Sequence, residues 1–136
     1  MIEFAALLLV STLFGGMMLY SFGFAPMVFR AMPPEEAGRF IRAVFPWYYL
    51  FVIGVAGLGG ALLSLRDFSS GVLMIAIALA AIYARQGLMP QINAARDARS
   101  RGDPDAKKRF GRLHGISVAL NFTQLIAAGY VLYRFL

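Results

Sequence analysis

Four long apolar segments constrain the fold of this chain more than any other feature of its sequence. They lie at about residues 2–24, 47–65, 71–89 and 113–136. Each is close to the roughly 20 residues that a helix needs to cross the hydrocarbon core of a bilayer. None alternates apolar and polar residues as a strand of a membrane barrel does. The sequence therefore predicts an all-α integral membrane protein, a single four-helix bundle over residues 1–136.

Composition and charge exclude several other classes of protein. Of the 136 residues, 60% are apolar and 15% are charged, whereas soluble domains average about 45–50% and about 25%. The chain has no cysteine and one histidine, which excludes disulfides, thiolate metal sites and, within one chain, haem held by two histidines. The net charge of +6 comes without the aromatic interleaving of a nucleic-acid interface, so we expect no nucleic-acid partner.

The basic residues predict the orientation in the membrane. All but two of the 13 Lys and Arg residues lie near the connection between segments one and two or between segments three and four; the exceptions are Arg66 and Arg134. Because cytoplasmic loops are enriched in Lys and Arg, we expect both termini outside an inner or plasma membrane and both connections in the cytoplasm. No basic residue precedes the first segment, which indicates a mature helix rather than a signal peptide. The segment Arg96–Arg112 is expected to contact anionic lipids, at about 1 kcal/mol per basic residue.

Both connections carry helix signals. The first helix is expected to end at three prolines: Pro26, Pro33 and Pro34. From Glu35 to Tyr48 apolar residues recur with helical spacing, which predicts an amphipathic helix in the cytoplasmic interface, bent at Pro46 into the second span. An N-cap acid, a first-turn proline and a first-turn acid predict the start of the fourth helix at Asp103, Pro104 and Asp105.

The two connections also resemble each other. Residues 70 positions apart match in four places: Pro34 with Pro104, Glu35 with Asp105, Arg39-Phe40 with Arg109-Phe110, and Arg42 with Arg112. This match predicts a duplicated helical hairpin, with two parallel repeats related by an axis along the membrane normal.

The fourth segment carries a polar stripe on one helical face: His114, Ser117, Asn121 and Gln124. Polar side chains facing lipid are costly, so the stripe is expected to face the bundle or an oligomer interface. One interpretation is that the stripe joins helices, at roughly 0.6 kcal/mol per hydrogen bond. The other is that it binds a ligand, with His114 supplying proton or metal chemistry.

The end of the third segment holds a second polar group: Arg85, Gln86 and Asn93, which flank Pro90. Proline leaves a backbone carbonyl unpaired, and such a carbonyl is tolerated at membrane depth where it is buried or lines a cavity. Arg85 either extends to the lipid headgroups or points inward to bind an anion.

Four stretches resemble the transmembrane-protein-205-like family (a domain of unknown function, group 4149) of four-span membrane proteins. They lie at residues 24–30, 44–49, 83–93 and 110–121, and the last is similar to the family pattern Phe-x-x-x-His-Gly-x-Ser-x-x-x-Asn. Tyr83 stands where an asparagine is common in the family. The resemblance implies a four-helix membrane protein without a settled activity, marked by four positions: Arg85, Pro90, His114 and Asn121. The family is also distantly similar to copper-resistance D-type membrane proteins, in which metal or haem handling is discussed.

These residues suggest small-solute or ion binding and transport through a polar pocket inside the bundle. The pocket would be lined by seven side chains: Tyr49, Arg85, Gln86, Asn93, His114, Ser117 and Asn121. Arg85 would attract an anionic group, and the interruption at Pro90 would shape the pocket. Four helices enclose little space, so we expect a homo-oligomer to complete a transport path.

Two alternatives from other classes stay open. A membrane metal, haem or redox protein would use His114, with thioether ligands for Cu(I) from Met27, Met32 or Met89, although the sequence names no cofactor. A structural or accessory subunit would use the same polar side chains only to join helices. Nothing resembles a nucleophile elbow, a phosphate loop or a zinc motif, which favours a role other than catalysis.

Overall fold

Four long helices make up the chain in the computed structural model, which describes residues 1–136. They are α1 (Ile2–Ala31), α2 (Pro34–Ser64), α3 (Phe68–Ser100) and α4 (Ala106–Tyr133). All four are long and apolar enough to cross a membrane, and the chain contains no strand. The prediction of an all-α four-helix bundle is confirmed.

The helices pack as a square around one core. Helices α1 and α3 each contact both α2 and α4. The largest fully buried apolar side chains are Val10, Leu13, Met17, Val52, Met74 and Val131. We call the end formed by residues 31–34 and 100–106 the basic end, and the end that holds both termini and residues 64–68 the terminal end. Large apolar side chains such as Leu58 and Ile126 face outward, which suits a surface covered by lipid.

The prolines interrupt the helices at fewer places than the sequence predicts. The expected break at Pro26 is wrong, because α1 continues past it and only the step at Pro33 separates α1 from α2. A π-helical segment, Leu19–Phe24, precedes Pro26, and a second, Ala84–Leu88, precedes Pro90. The wider π turn accommodates the proline ring and its missing N–H, so both helices continue.

This placement of the π segments adds a second feature shared by the two hairpins, beside the match between their connections. In α1 and in α3 alike, the proline lies two residues after the π segment ends. The helix that follows begins at Pro34 in the first half and at Ala106 in the second, where Asp105 rather than the predicted Asp103 is the N-cap. In the second half, the Asp103 side chain accepts the backbone N–H of Asp105 at 3.0 Å, directly before α4 begins.

Helix α2 runs without interruption through Pro46. The predicted amphipathic segment at residues 35–48 is therefore the first part of α2 rather than a separate helix. Ala37 and Ile41 on this segment are buried against Val28 of α1. This packing holds the segment against α1, although α2 lacks one backbone hydrogen bond at the proline.

Gly71 marks a close approach between α3 and the end of α2. A Cβ atom at this position would lie 2.7 Å from the backbone nitrogen of Ser64, and backbone cannot rotate away. We expect Gly71→Ala to lower the free energy of unfolding by about 1–3 kcal/mol. The control is Gly57→Ala, where the added Cβ meets nothing within 4 Å. Unfolding of both variants in detergent measures the difference, and equal stabilities would contradict this account.

Asp67 organises the terminal end. Its carboxylate accepts hydrogen bonds from the hydroxyl groups of Ser70 and Ser69 and from the backbone N–H of Ser70, which caps α3. It also pairs with Arg134 at 3.0 Å. The hydrogen bonds from Ser70 and Ser69, followed by the charge of Arg134, lower the pKa of Asp67 to about 2.

The lowered pKa of Asp67 predicts a loss of stability in acid. A carboxylate whose pKa is lower in the folded than in the unfolded protein stabilises the fold above its unfolded pKa, near 4, and loses that effect as the pH falls through the folded value. We expect the wild type to be more stable than Asp67→Asn at about pH 6, with the difference shrinking from about pH 4 to about pH 2. Thermal unfolding of both proteins across this range is the measurement. A difference that does not change with pH would rule out this role for the carboxylate.

Candidate ligand-binding cavity

A cavity of about 320 Å³ lies between the four helices, toward the basic end. All four helices contribute to its wall, which is mainly aromatic and aliphatic. The polar and charged lining residues are Tyr20, Ser21, Arg42, Tyr48, Tyr49, Asn93, Arg96, His114, Ser117 and Asn121. Its volume falls at the lower end of the roughly 300–1,000 Å³ range of small-molecule sites, and few polar groups in an apolar wall are typical of them.

Asn121 connects three helices at the cavity wall. The Tyr48 hydroxyl on α2 donates to Asn121 Oδ1 at 2.6 Å, and Asn121 Nδ2 donates to Ser21 Oγ on α1 at 2.9 Å. Nearby, the hydroxyl groups of Tyr49 and Ser117 lie 3.3 Å apart. Tyr48 and Tyr49 thereby reach α4 from α2 across the diagonal of the bundle.

Tyr20 lines the cavity and carries an unpaired polar group. Its ring stacks on Tyr48, with centroids 4.1 Å apart and an interplanar angle of 18°. Its hydroxyl oxygen is buried and has no hydrogen-bond partner. A buried donor without an acceptor costs about 1–3 kcal/mol, so an acceptor entering the cavity at this point would be favoured.

Arg96 supplies a positive charge at the basic end of the cavity. One guanidinium nitrogen donates to the carbonyl oxygen of Gly38 at 2.6 Å, and the group lies 5.5 Å from the ring centroid of Phe110. Phe110 in turn stacks on His114, with centroids 5.7 Å apart and the rings almost parallel. Arg96 forms no ion pair, and its remaining N–H groups are free to donate.

Arg42, the other cation of the lining, differs from Arg96 in being neutralised. It binds Asp97 through two hydrogen bonds, of 2.7 Å and 3.2 Å. No acidic residue lines the cavity. The unpaired charge within it is therefore that of Arg96.

A family model described as "Domain of unknown function (DUF4149)" matches residues 8–101. This chain belongs to that family. The match covers most of α1 and all of α2 and α3, and it ends before the polar stripe of α4. No curated protein and no solved structure matches the chain.

Five of the seven pocket residues predicted from the sequence line the cavity of this DUF4149 protein: Tyr49, Asn93, His114, Ser117 and Asn121. Arg85 and Gln86 do not, so the predicted set does not share one cavity. Gln86 is exposed. Arg85 is half-buried, and its buried Nε atom has no partner. Both lie within the π segment of α3, whereas the cavity begins at Met89, beyond its end.

Of the other residues predicted as polar or metal-binding positions, some line the cavity and some lie outside it. Gln124 is buried outside the cavity and donates to the carbonyl oxygen of Ile77 at 3.0 Å, so it joins α4 to α3. Among the candidate thioether ligands, Met89 shares the cavity with His114, whereas Met27 and Met32 lie outside it. The chain contains no group of three or more His, Asp or Glu side chains that could hold a metal ion.

Several lining residues were not predicted from the sequence of this DUF4149 protein: Tyr20, Ser21, Tyr48, Arg96 and Phe110. The sequence predicts instead that Arg96 belongs to the basic segment that contacts anionic lipids. One signal in the sequence is the cluster of four aromatic residues within residues 44–49. Two of them, Phe45 and Tyr48, pack directly against Tyr20.

Proposed function

We propose that this protein binds a small organic anion in the four-helix cavity and carries it across the membrane. One observation carries the proposal, namely that Arg96, which has no ion pair, lines the same cavity as Tyr20, whose buried hydroxyl has no hydrogen-bond partner, and that no acidic residue lines this cavity. Both groups are donors, so they favour a ligand with an acceptor and a negative charge. Aromatic side chains around them suit a ligand with an apolar body.

The proposed orientation follows the distribution of charge. The basic end would face the cytoplasm, and both termini and the turn at residues 64–68 would lie outside an inner or plasma membrane. The cavity would then open toward the cytoplasm, beside the segment Arg96–Arg112, which would contact anionic lipids. Within the DUF4149 family, we assign the chain to the transmembrane-protein-205-like group, and we propose that a second copy completes the path.

The test of this proposal is uptake by purified protein in liposomes. Benzenesulfonate is a suitable probe because it combines an aromatic ring with a charge that persists at every working pH. We expect liposomes that contain the protein to take up labelled benzenesulfonate faster than protein-free liposomes, and unlabelled probe in excess to compete. Equal rates in the two preparations, with no binding detected in detergent, would overturn the proposal.

A structural or accessory subunit is the second candidate, and it is favoured by the hydrogen bonds of the α4 stripe. Asn121 joins α4 to α1 and α2, and Gln124 joins it to α3. In this alternative the stripe only fixes the bundle, and no solute depends on it. A metal or haem protein would instead draw on His114 and Met89, and elemental analysis with an absorption spectrum of wild type and His114→Ala would reveal it.

A further inference from the structure

The cavity has a neighbour on the outer face of the bundle. A groove of about 540 Å³ lies between α1 and α2, and its wall is almost entirely apolar. Leu19, Gly23 and Met27 of α1 line it and are exposed. In a chain whose four helices are suited to crossing a membrane, this face lies against lipid.

Two residues belong to both spaces. Tyr20 and Tyr48 line the inner cavity and the outer groove alike, and their rings stack on each other. The stacked pair is therefore the partition between the lipid-facing groove and the cavity that holds Arg96. It lies beside the π segment Leu19–Phe24, and such segments are frequent at functional sites.

The groove has the dimensions of a lipid chain. Along α1 it extends from Gly16 to Met27, which is about 17 Å at the rise of an α-helix. One leaflet of a bilayer contributes half of a hydrocarbon core roughly 30 Å thick, so the groove covers about one leaflet. Gly16 lets the Phe51 ring pack directly on the backbone of α1, and Gly23 leaves the middle of the groove without a side chain.

We propose that the ligand of this protein is an anionic amphiphile with one long acyl chain, which enters sideways from the bilayer between α1 and α2. The proposal rests on the proposed function and names its substrate class. The chain lies in the groove, and the carboxylate passes the Tyr20–Tyr48 pair to reach the Tyr20 hydroxyl and Arg96. The apolar wall of the groove and the unpaired donors of the cavity match the two parts of such a molecule.

The absence of cysteine from the chain makes a direct test possible. In Gly23→Cys, a maleimide adduct would fill the groove after the protein has folded. In Gly15→Cys, the adduct would lie on an exposed position of the same helix that lines neither space. Both variants are placed in phosphatidylcholine nanodiscs and exposed to a palmitate probe that carries a diazirine near the end of its chain.

We expect the probe to label peptides from α1 and α2 around the groove. Labelling should fall at least tenfold with the adduct at position 23, should survive the adduct at position 15, and should be absent for the methyl ester of the probe. Benzenesulfonate binding should survive both adducts, because the inner cavity stays open. Labelling spread evenly over all four helices, or unaffected by the adduct at position 23, would overturn this inference.

The outcomes also separate this inference from the proposed function. If benzenesulfonate uptake persists while the palmitate probe labels without preference, the inner cavity takes small anions and the lateral entry is wrong. If neither probe binds, both proposals fail.

Discussion

Arg96→Gln is expected to abolish most of the protein-dependent uptake of benzenesulfonate. The substitution removes the unpaired charge of the cavity while keeping a side chain that can hydrogen-bond the carbonyl oxygen of Gly38. Hydrogen bonds to charged groups contribute about 1.5–3 kcal/mol, which corresponds to roughly ten- to one-hundred-fold weaker binding. Uptake measured well below saturation should fall by the same factor.

Arg99→Gln is the matched control for Arg96→Gln. It removes the same charge from the same helix, but Arg99 is exposed and does not line the cavity. If the anion only follows the positive surface potential of the basic end, both variants should lose uptake equally and that loss should disappear at high salt. A selective effect of Arg96→Gln assigns the charge to the cavity, whereas unchanged uptake in Arg96→Gln would contradict the proposed function.

Arg96→Lys separates charge from shape at the same position. Lysine retains the positive charge but lacks the planar group that lies over the Phe110 ring. Since Phe110 also stacks on His114, we expect the lysine variant to recover part of the uptake that the glutamine variant loses. Full recovery would show that the stacking has no part in binding.

The membrane explains why the fold could be predicted from the sequence. The thickness of the bilayer fixes the length of each apolar segment. The predicted spans 2–24 and 71–89 lie within their helices, whereas the spans 47–65 and 113–136 end one and three residues beyond theirs. Segment hydropathy does not predict the helix ends at the basic end, because there the helices extend beyond the hydrocarbon core and are no longer apolar. Helix α2 begins at Pro34, well before its predicted span at residue 47; the helical spacing of apolar residues from Glu35, rather than hydropathy, predicts this part of the helix. Contact with Val28 of α1 stabilises this extension, and tertiary contacts are not visible in hydropathy.

The polar stripe of α4 was predictable because helical spacing alone fixes a common face. His114, Ser117 and Asn121 do line one cavity. The sequence could not choose between the two arginines of α3. In an uninterrupted α-helix, residues eleven positions apart, such as Arg85 and Arg96, return to nearly the same face at a height difference of about 16 Å. The π segment Ala84–Leu88 contains Arg85 and changes that register. Which arginine lines the cavity depends on contacts with side chains of α1 and α2, and the sequence of α3 alone does not determine these contacts.

The tyrosines were missed for a different physical reason. Tyr20 and Tyr48 lie in apolar segments where an aromatic ring is as suited to lipid as to a cavity. Their role comes from stacking between α1 and α2 and from the bond of Tyr48 to Asn121. The stacking and the hydrogen bond both join distant parts of the chain, so the sequence of one helix alone does not predict that these tyrosines line a cavity.

Asn121→Ala compared with Gln124→Ala decides whether the α4 stripe binds a solute or only joins helices. Both side chains hydrogen-bond another helix, but Asn121 lines the cavity and Gln124 does not. Because interhelical hydrogen bonds in membranes average about 0.6 kcal/mol and reach about 1.7, we expect each variant to lose about 0.6–1.7 kcal/mol of unfolding free energy. Only Asn121→Ala should lose uptake, by at least about tenfold, since Tyr48 is then no longer held at the cavity wall. Equal losses of stability with uptake intact in both would assign the stripe to helix packing alone.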